Sequence, residues 1–111
     1  MFIYNRVKPI VLTTRNSNTL VPGTWAVLKT VEAPVFYLKI LNDSNQGVSI
    51  SYDGVSYHDY LPDGETLELN FQTNNMPPSN VADLAKNTTI YITGTAGVGF
   101  IYCSGFTSFS S

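Results

Sequence analysis

Turn-forming residues punctuate this chain at intervals of about ten. Pro22-Gly23, Ala33-Pro34, the polar run 43–47 ("DSNQG"), Asp53-Gly54 and Pro62-Asp63-Gly64 follow one another. The runs between them are too short for stable helices and rich in β-branched and aromatic residues, which points to an antiparallel sandwich or barrel. One run fixes the period. In residues 65–72 ("ETLELNFQ"), Leu67, Leu69 and Phe71 alternate with Thr66, Glu68 and Asn70, as in a strand with one buried face. Further strands are expected over residues 7–14, 24–31, 35–42, 48–52, 55–60, 88–94 and 97–106. Pro9 offers no N–H to a ladder, so the first of these belongs at an edge or a bulge. Residues 79–86 ("SNVADLAK") form the single helix-like piece, with Ser79 or Asn80 as its N-cap. The expected fold is all-β: an antiparallel, jelly-roll-like sandwich of about eight strands with one short helical turn, residues 1–111 forming a single domain.

The surface such a fold presents follows from composition. Charged residues make up only 13% of the chain, about half the usual share, so Asn, Ser and Thr supply most of the polar surface. Six Lys and Arg against eight Asp and Glu give a net charge of −2 without a basic stripe, which argues against direct nucleic-acid binding. No apolar run approaches the roughly 18–20 residues of a membrane span. "MFIYNRVKPI" lacks the n-region and cleavage site of a signal peptide, so synthesis in the cytoplasm is expected. Cys103 is the only cysteine, and its setting, "FIYCSGF", reads as a buried apolar thiol.

The densest cluster of chemically capable side chains is "YDGVSYHDY", residues 52–60. Asp-Gly between alternating runs signals a type I′ hairpin, because both central residues need positive φ. That register sets Tyr52 opposite Val55, Ile50 opposite Tyr57 and Val48 opposite Asp59. Val48, Ile50, Tyr52, Val55 and Tyr57 then share the core face, and His58 falls among serines on the other. Asp53 is used in the turn and Asp59 points away from His58. Asp63, Glu65 and Glu68 follow, but their spacing matches no calcium loop. One His and one Cys are too few for a zinc site. Neither a catalytic constellation nor a metal or cofactor site is expected, and His58 reads as an exposed hairpin residue.

"GTAGVG" (residues 94–99) joins two strands rather than a strand and a helix, so it reads as a hairpin loop and not a phosphate cradle. With a loop over 94–97, Ile90 faces Ile101 and Tyr91 faces Phe100. One face of that hairpin is aliphatic (Ile90, Ile92, Ile101, Cys103) and the other aromatic (Tyr91, Phe100, Tyr102). The aromatic face either lies within the sandwich or meets a second subunit. Trp25, beside the Pro22-Gly23 turn, reads either as a core residue or as a sugar-stacking platform. Asn42-Asp43-Ser44 and Asn87-Thr88-Thr89 match the glycosylation pattern, as expected by coincidence in so Asn- and Thr-rich a chain.

Several of these pieces occur in a distinctive order. Asn42-Asp43-Ser44, Ser51, Asp53-Gly54, His58-Asp59, Pro62, Gly64-Glu65, Gly94-Thr95-Ala96-Gly97, Gly99 and Ile101-Tyr102 together resemble small β-sandwich structural proteins of tailed bacteriophages. In those, a strand ending in Asn-Asp-Ser precedes an Asp-Gly and His-Asp segment, and the chain closes on a Gly-Thr-Ala-Gly hairpin. The resemblance covers about the C-terminal two-thirds of the chain; the N-terminal third carries no such motif. It implies a non-enzymatic virion component made in the host cytoplasm. Capsid decoration or a head accessory role comes first, docked on the major capsid protein or neighbouring virion subunits and self-associating as a homo-oligomer. A head–tail junction or tail role is the alternative. His58, Tyr60, Tyr91, Phe100 and Tyr102 are the candidate interface residues. Two readings of other classes remain: a carbohydrate-binding module stacking sugars on Trp25 or the tyrosines, and a small hydrolase built on carboxylates around His58.

Overall fold

Nine strands form among residues 5–70 and 84–110, the residues described by a computed structural model of the protein. They are β1 (Asn5–Pro9), β2 (Thr13–Asn16), β3 (Ala26–Thr30), β4 (Val35–Ser44) and β5 (Val48–Ser51), then β6 (Asp59–Leu61), β7 (Thr66–Asn70), β8 (Thr89–Gly94) and β9 (Gly99–Ser110). Two antiparallel sheets result: a five-stranded one ordered β1-β9-β4-β7, with β2 also on β9, and a four-stranded one ordered β3-β8-β5-β6. The sandwich expected from the turn spacing is present.

Pro9 explains how the first expected strand divides. Proline ends β1, the chain steps through residues 10–12, and β2 resumes on the same neighbour, β9. Both pieces lie on one flank of the sheet, so the missing N–H interrupts no central ladder. The long β4–β9 pair forms the middle of this sheet, from Val35↔Thr107 to Ser44↔Gly99. Gly99 is required at that end. It has φ +120°, and a Cβ there would collide with the Asp43 carbonyl.

The core is what the alternation specifies. Leu38, Ile40, Ile101 and Cys103 from the five-stranded sheet meet Leu28, Val48, Ile50, Leu61, Ile90 and Ile92 from the other, all buried. Fully burying each such aliphatic side chain stabilises the fold by about 1.5–3 kcal/mol before entropy is counted. Leu67 and Leu69 of β7 pack partly buried on this core while Thr66, Glu68 and Asn70 are exposed, as their spacing predicts; Phe71 lies outside the described residues. One buried polar side chain ties the layers together. Asn42 Nδ2 lies 2.9, 3.1 and 3.3 Å from the carbonyls of Gln46, Leu61 and Pro62, and Ser44 Oγ donates to Asn42 Oδ1 at 2.6 Å. The Pro62-Asp63-Gly64 turn forms as expected, with Gly64 at φ +76° and its N–H on the Asn42 carbonyl.

Three expectations are corrected. The strands flanking Asp53-Gly54 pair two residues further out than a type I′ turn requires: Val48↔Leu61, Ser49↔Tyr60, Ile50↔Asp59. Residues 52–58 are therefore a loop, and Val55 and Tyr57 are exposed rather than on the core face. The shift preserves parity, so Leu61 still faces in and Tyr60 out. Second, β8 and β9 are not a hairpin. They belong to opposite sheets, and residues 95–98 cross between them. Asn45 pins that crossover, donating from its N–H to the Val98 carbonyl and accepting the Val98 N–H on Oδ1 at 2.8 Å. Third, the helical turn among the described residues is a 3-10 turn at Ser17–Thr19, capped by the Asn16 side chain. The helix expected over 79–86 lies mostly outside the described residues, and its described part begins with Leu84 bridged to Val35.

Candidate functional site

The loop at 52–58 brings His58 and Asp53 together, which the expected register did not. Asp53 Oδ1 accepts the N–H groups of Val55 and Ser56 at 2.8 and 2.9 Å and the Ser51 hydroxyl at 2.9 Å. Ser51 Oγ in turn accepts the N–H groups of Asp53 and Gly54. Short polar side chains thus replace the missing strand ladder. The Ser56 and Val55 amides favour the ionised carboxyl and hold the Asp53 pKa at about 2, with a smaller pull from His58. His58 Nδ1 accepts the Tyr52 N–H at 3.0 Å, the His58 backbone N–H donates to the Ile50 carbonyl, and Nε2 lies 3.9 Å from Asp53 Oδ2. Tyr52 donates its hydroxyl to Asp59 at 3.0 Å; burial first, and that carboxylate second, push the phenol pKa up.

These groups hold the loop. One imidazole nitrogen is engaged by backbone, and a carboxyl with a pKa of about 2 is a poor general base at neutral pH. Both members of the pair face solvent, where such contacts contribute little. Among the described residues no three His, Cys, Asp or Glu side chains are grouped to hold a metal ion. Burial pushes the Cys103 thiol up to about 11, away from nucleophilic use.

The aromatic residues separate onto two outward faces. On the four-stranded sheet, register aligns Thr93, Ser49 and Tyr60 in one cross-strand row. The Tyr60 ring lies across Gly47, where a Cβ would overlap the phenol. Tyr57 descends from the loop beside Trp25, ring centres 4.9 Å apart. Tyr57 and Tyr60, each 65% exposed, border a cleft of about 300 Å³ that also takes in Gln46, Ser49, Thr93 and Thr95. Trp25 is half-buried beside Tyr57 and outside the apolar core. Tyr91 is on the same sheet but covered: Gly54 sits so close that a Cβ there would lie 3.1 Å from its ring.

On the five-stranded sheet, the pairs Tyr37↔Phe106, Leu41↔Tyr102 and Asp43↔Phe100 point outward, with Lys39↔Ser104 between them. Tyr37 and Phe106 are 6.1 Å apart, and Phe100 and Tyr102 6.3 Å. Phe100 and Phe106 remain 43% and 39% exposed, and Leu12 stands exposed beside Leu41 and Tyr102 at the rim of a shallow depression.

The five candidate interface residues are therefore dispersed. Phe100 and Tyr102 share the five-stranded face, Tyr60 lines the opposite cleft, His58 clips the loop and Tyr91 lies under it. The aliphatic–aromatic split expected for residues 90–103 holds residue by residue, but across two sheets. Tyr37, Leu41, Phe106 and Tyr57 were missed as surface aromatics and aliphatics. Lys39 could have revealed the first two, since Tyr37, Lys39 and Leu41 alternate with Leu38 and Ile40. Nothing local marks Tyr57. The amide of Asn42, in the first glycosylation-like triplet, is buried and fully engaged. The backbone N–H groups of Gly97 and Val98, in the glycine-rich run, are occupied by the Ser17 carbonyl and Asn45.

Comparison with family models, with curated proteins and with solved structures found no match to this chain.

Proposed function

We propose that the protein is a non-enzymatic structural component of a tailed-phage particle, docked on neighbouring virion subunits through the outer face of its five-stranded sheet. The observation that carries this reading is the aromatic row on β9 and β4. Phe100, Tyr102, Phe106, Tyr37 and Leu41 are outward on a sheet whose inner face is already filled. Exposed rings gathered on a regular, pre-formed surface are what protein interfaces use. Covering each half-exposed ring contributes on the order of 1 kcal/mol, so one contact is weak and a repeated array is stable.

The resemblance to small virion proteins supports the same reading through what its residues do. Asn42 and Ser44 fasten the two layers, Ser51 and Asp53 fold the loop, His58 clips it, and Gly99 permits the tight start of β9. The shared positions are architectural, as in a protein whose product is a shape. Low charge favours docking by packing and neutral hydrogen bonds.

Quantitative mass spectrometry of purified particles tests this. Many copies per particle, with stoichiometry matching the capsid lattice, is the decoration reading; few copies points to the junction or tail. Absence from the particles overturns the proposal.

A further inference from the structure

We infer that the cleft between Tyr57 and Tyr60 is a binding site for a neutral saccharide, on the face opposite the proposed docking surface and independent of it. The cleft is about 300 Å³, at the lower end of the ~300–1,000 Å³ typical of ligand sites, which suits one or two sugar rings. Its lining contains no Asp, Glu, Lys, Arg or His. Phosphorylated or carboxylated ligands therefore meet no counter-charge, and a cationic ligand no anion.

What the cleft does offer is two kinds of contact that a sugar needs together. Tyr57 and Tyr60 present broad ring faces, each 65% exposed, able to stack against the C–H side of a pyranose. Gln46, Ser49 and Thr95 supply neutral amide and hydroxyl groups that donate and accept, matching ligand hydroxyls. The rings are held in place rather than free to collapse. Tyr57 is braced by Trp25 at 4.9 Å, and Tyr60 lies on Gly47, whose missing Cβ leaves room for it. Thr93 Oγ1 donates to the Val21 carbonyl at 2.9 Å, fixing the floor beneath the Pro22-Gly23 turn. Pre-positioned rings lose little freedom on binding. The depression on the other sheet has a similar volume but is lined by Lys39 and Asp43, so the charge-free lining is what distinguishes this cleft.

The test is an amide-resolved NMR titration of the full chain with a panel of neutral oligosaccharides built on glucose, galactose, mannose, xylose and N-acetylglucosamine. At least one member is expected to give saturable shifts with a dissociation constant near or below about 1 mM, clustered at residues 46–49, 57–60 and 93–95. Tyr57→Ala and Tyr60→Ala each weaken binding at least ~10-fold, with unchanged amide dispersion elsewhere. Tyr57→Phe, which keeps the ring, largely retains binding. Gly47→Ala, which displaces the Tyr60 ring without deleting it, weakens binding. Phe100→Ala on the other sheet leaves it unchanged. Failure of every panel member to shift the cleft amides overturns the inference. So does binding that survives the Tyr57→Ala/Tyr60→Ala double variant, or a neutral peptide binding the cleft more tightly than any sugar.

Discussion

Replacing Asn42 with leucine probes the joint between the two sheets. The side chains share a branched outline and heavy-atom count, so no cavity opens; the amide is lost and the bulkier methyl groups add some crowding at this buried site. Asn42 Nδ2 has two hydrogens and faces three carbonyls, those of Gln46, Leu61 and Pro62. Ser44, deprived of its Asn42 acceptor, still donates to Gln46 at 2.9 Å, so that carbonyl keeps a partner. The buried Leu61 carbonyl loses this donor, at about 1–3 kcal/mol, and a net hydrogen bond worth about 1 kcal/mol disappears. The expected loss is about 2–4 kcal/mol, a large part of the ~5–15 kcal/mol that typically holds a domain folded. With a urea slope near ~2 kcal/mol/M the midpoint falls by roughly 1–2 M at constant slope. Asn42→Asp does worse at neutral pH, because a carboxylate replaces the donor among carbonyl oxygens, and it recovers as acid protonates it. A leucine variant within about 0.5 kcal/mol of the parent, as at an ordinary surface site, would refute the claim that this amide fastens the layers.

Asp53 gives a prediction in pH. Its pKa is held at about 2, below the ordinary 3.8, so its contribution to stability is complete above the ordinary value and is lost as pH falls through about 2. A carboxyl-carbon NMR titration reads this directly, and a midpoint in the ordinary range contradicts it; Asp53→Ala should speed exchange of the Val55 and Ser56 amides. Two glycines separate backbone strain from collision. Gly64→Ala, at φ +76° with open space around it, costs about 1–2 kcal/mol. Gly99→Ala adds an overlap with the Asp43 carbonyl and should cost clearly more by denaturant midpoint; equal losses would contradict the close β4–β9 approach. Cys103, buried with its pKa raised to about 11, should resist thiol reagents in the native protein at mild alkaline pH and react on unfolding. Fast native labelling would contradict its burial.

Much of the fold is legible in the sequence because period-2 alternation assigns faces. Ile90, Ile92, Ile101 and Cys103 are inward, and Tyr91, Phe100 and Tyr102 outward, as the pattern requires. Partners are a different matter. A hairpin and a crossover between facing sheets place the same residues inward, so "GTAGVG" does not distinguish them; what decides is Asn45, fifty-three residues away, bonding Val98. Asp53-Gly54 misleads for a local reason. Ser51 and Asp53 capture four backbone amides among them, which stabilises a wide loop over the tight turn that Asp-Gly would otherwise make. The sugar cleft is illegible for the opposite reason. Tyr57 and Tyr60 share one stretch, but Gln46, Thr93 and the bracing Trp25 come from elsewhere in the chain, and only the sheet register and the loop bring them together.

Hydroxyl-radical footprinting of the aromatic side chains, comparing free protein with protein in purified particles, reads which sheet face is covered on assembly. Phe100, Tyr102 and Phe106 are expected to lose reactivity on assembly while Tyr57 and Tyr60 keep theirs. Unchanged reactivity across the five-stranded face in protein that is present in the particle would contradict docking through that face.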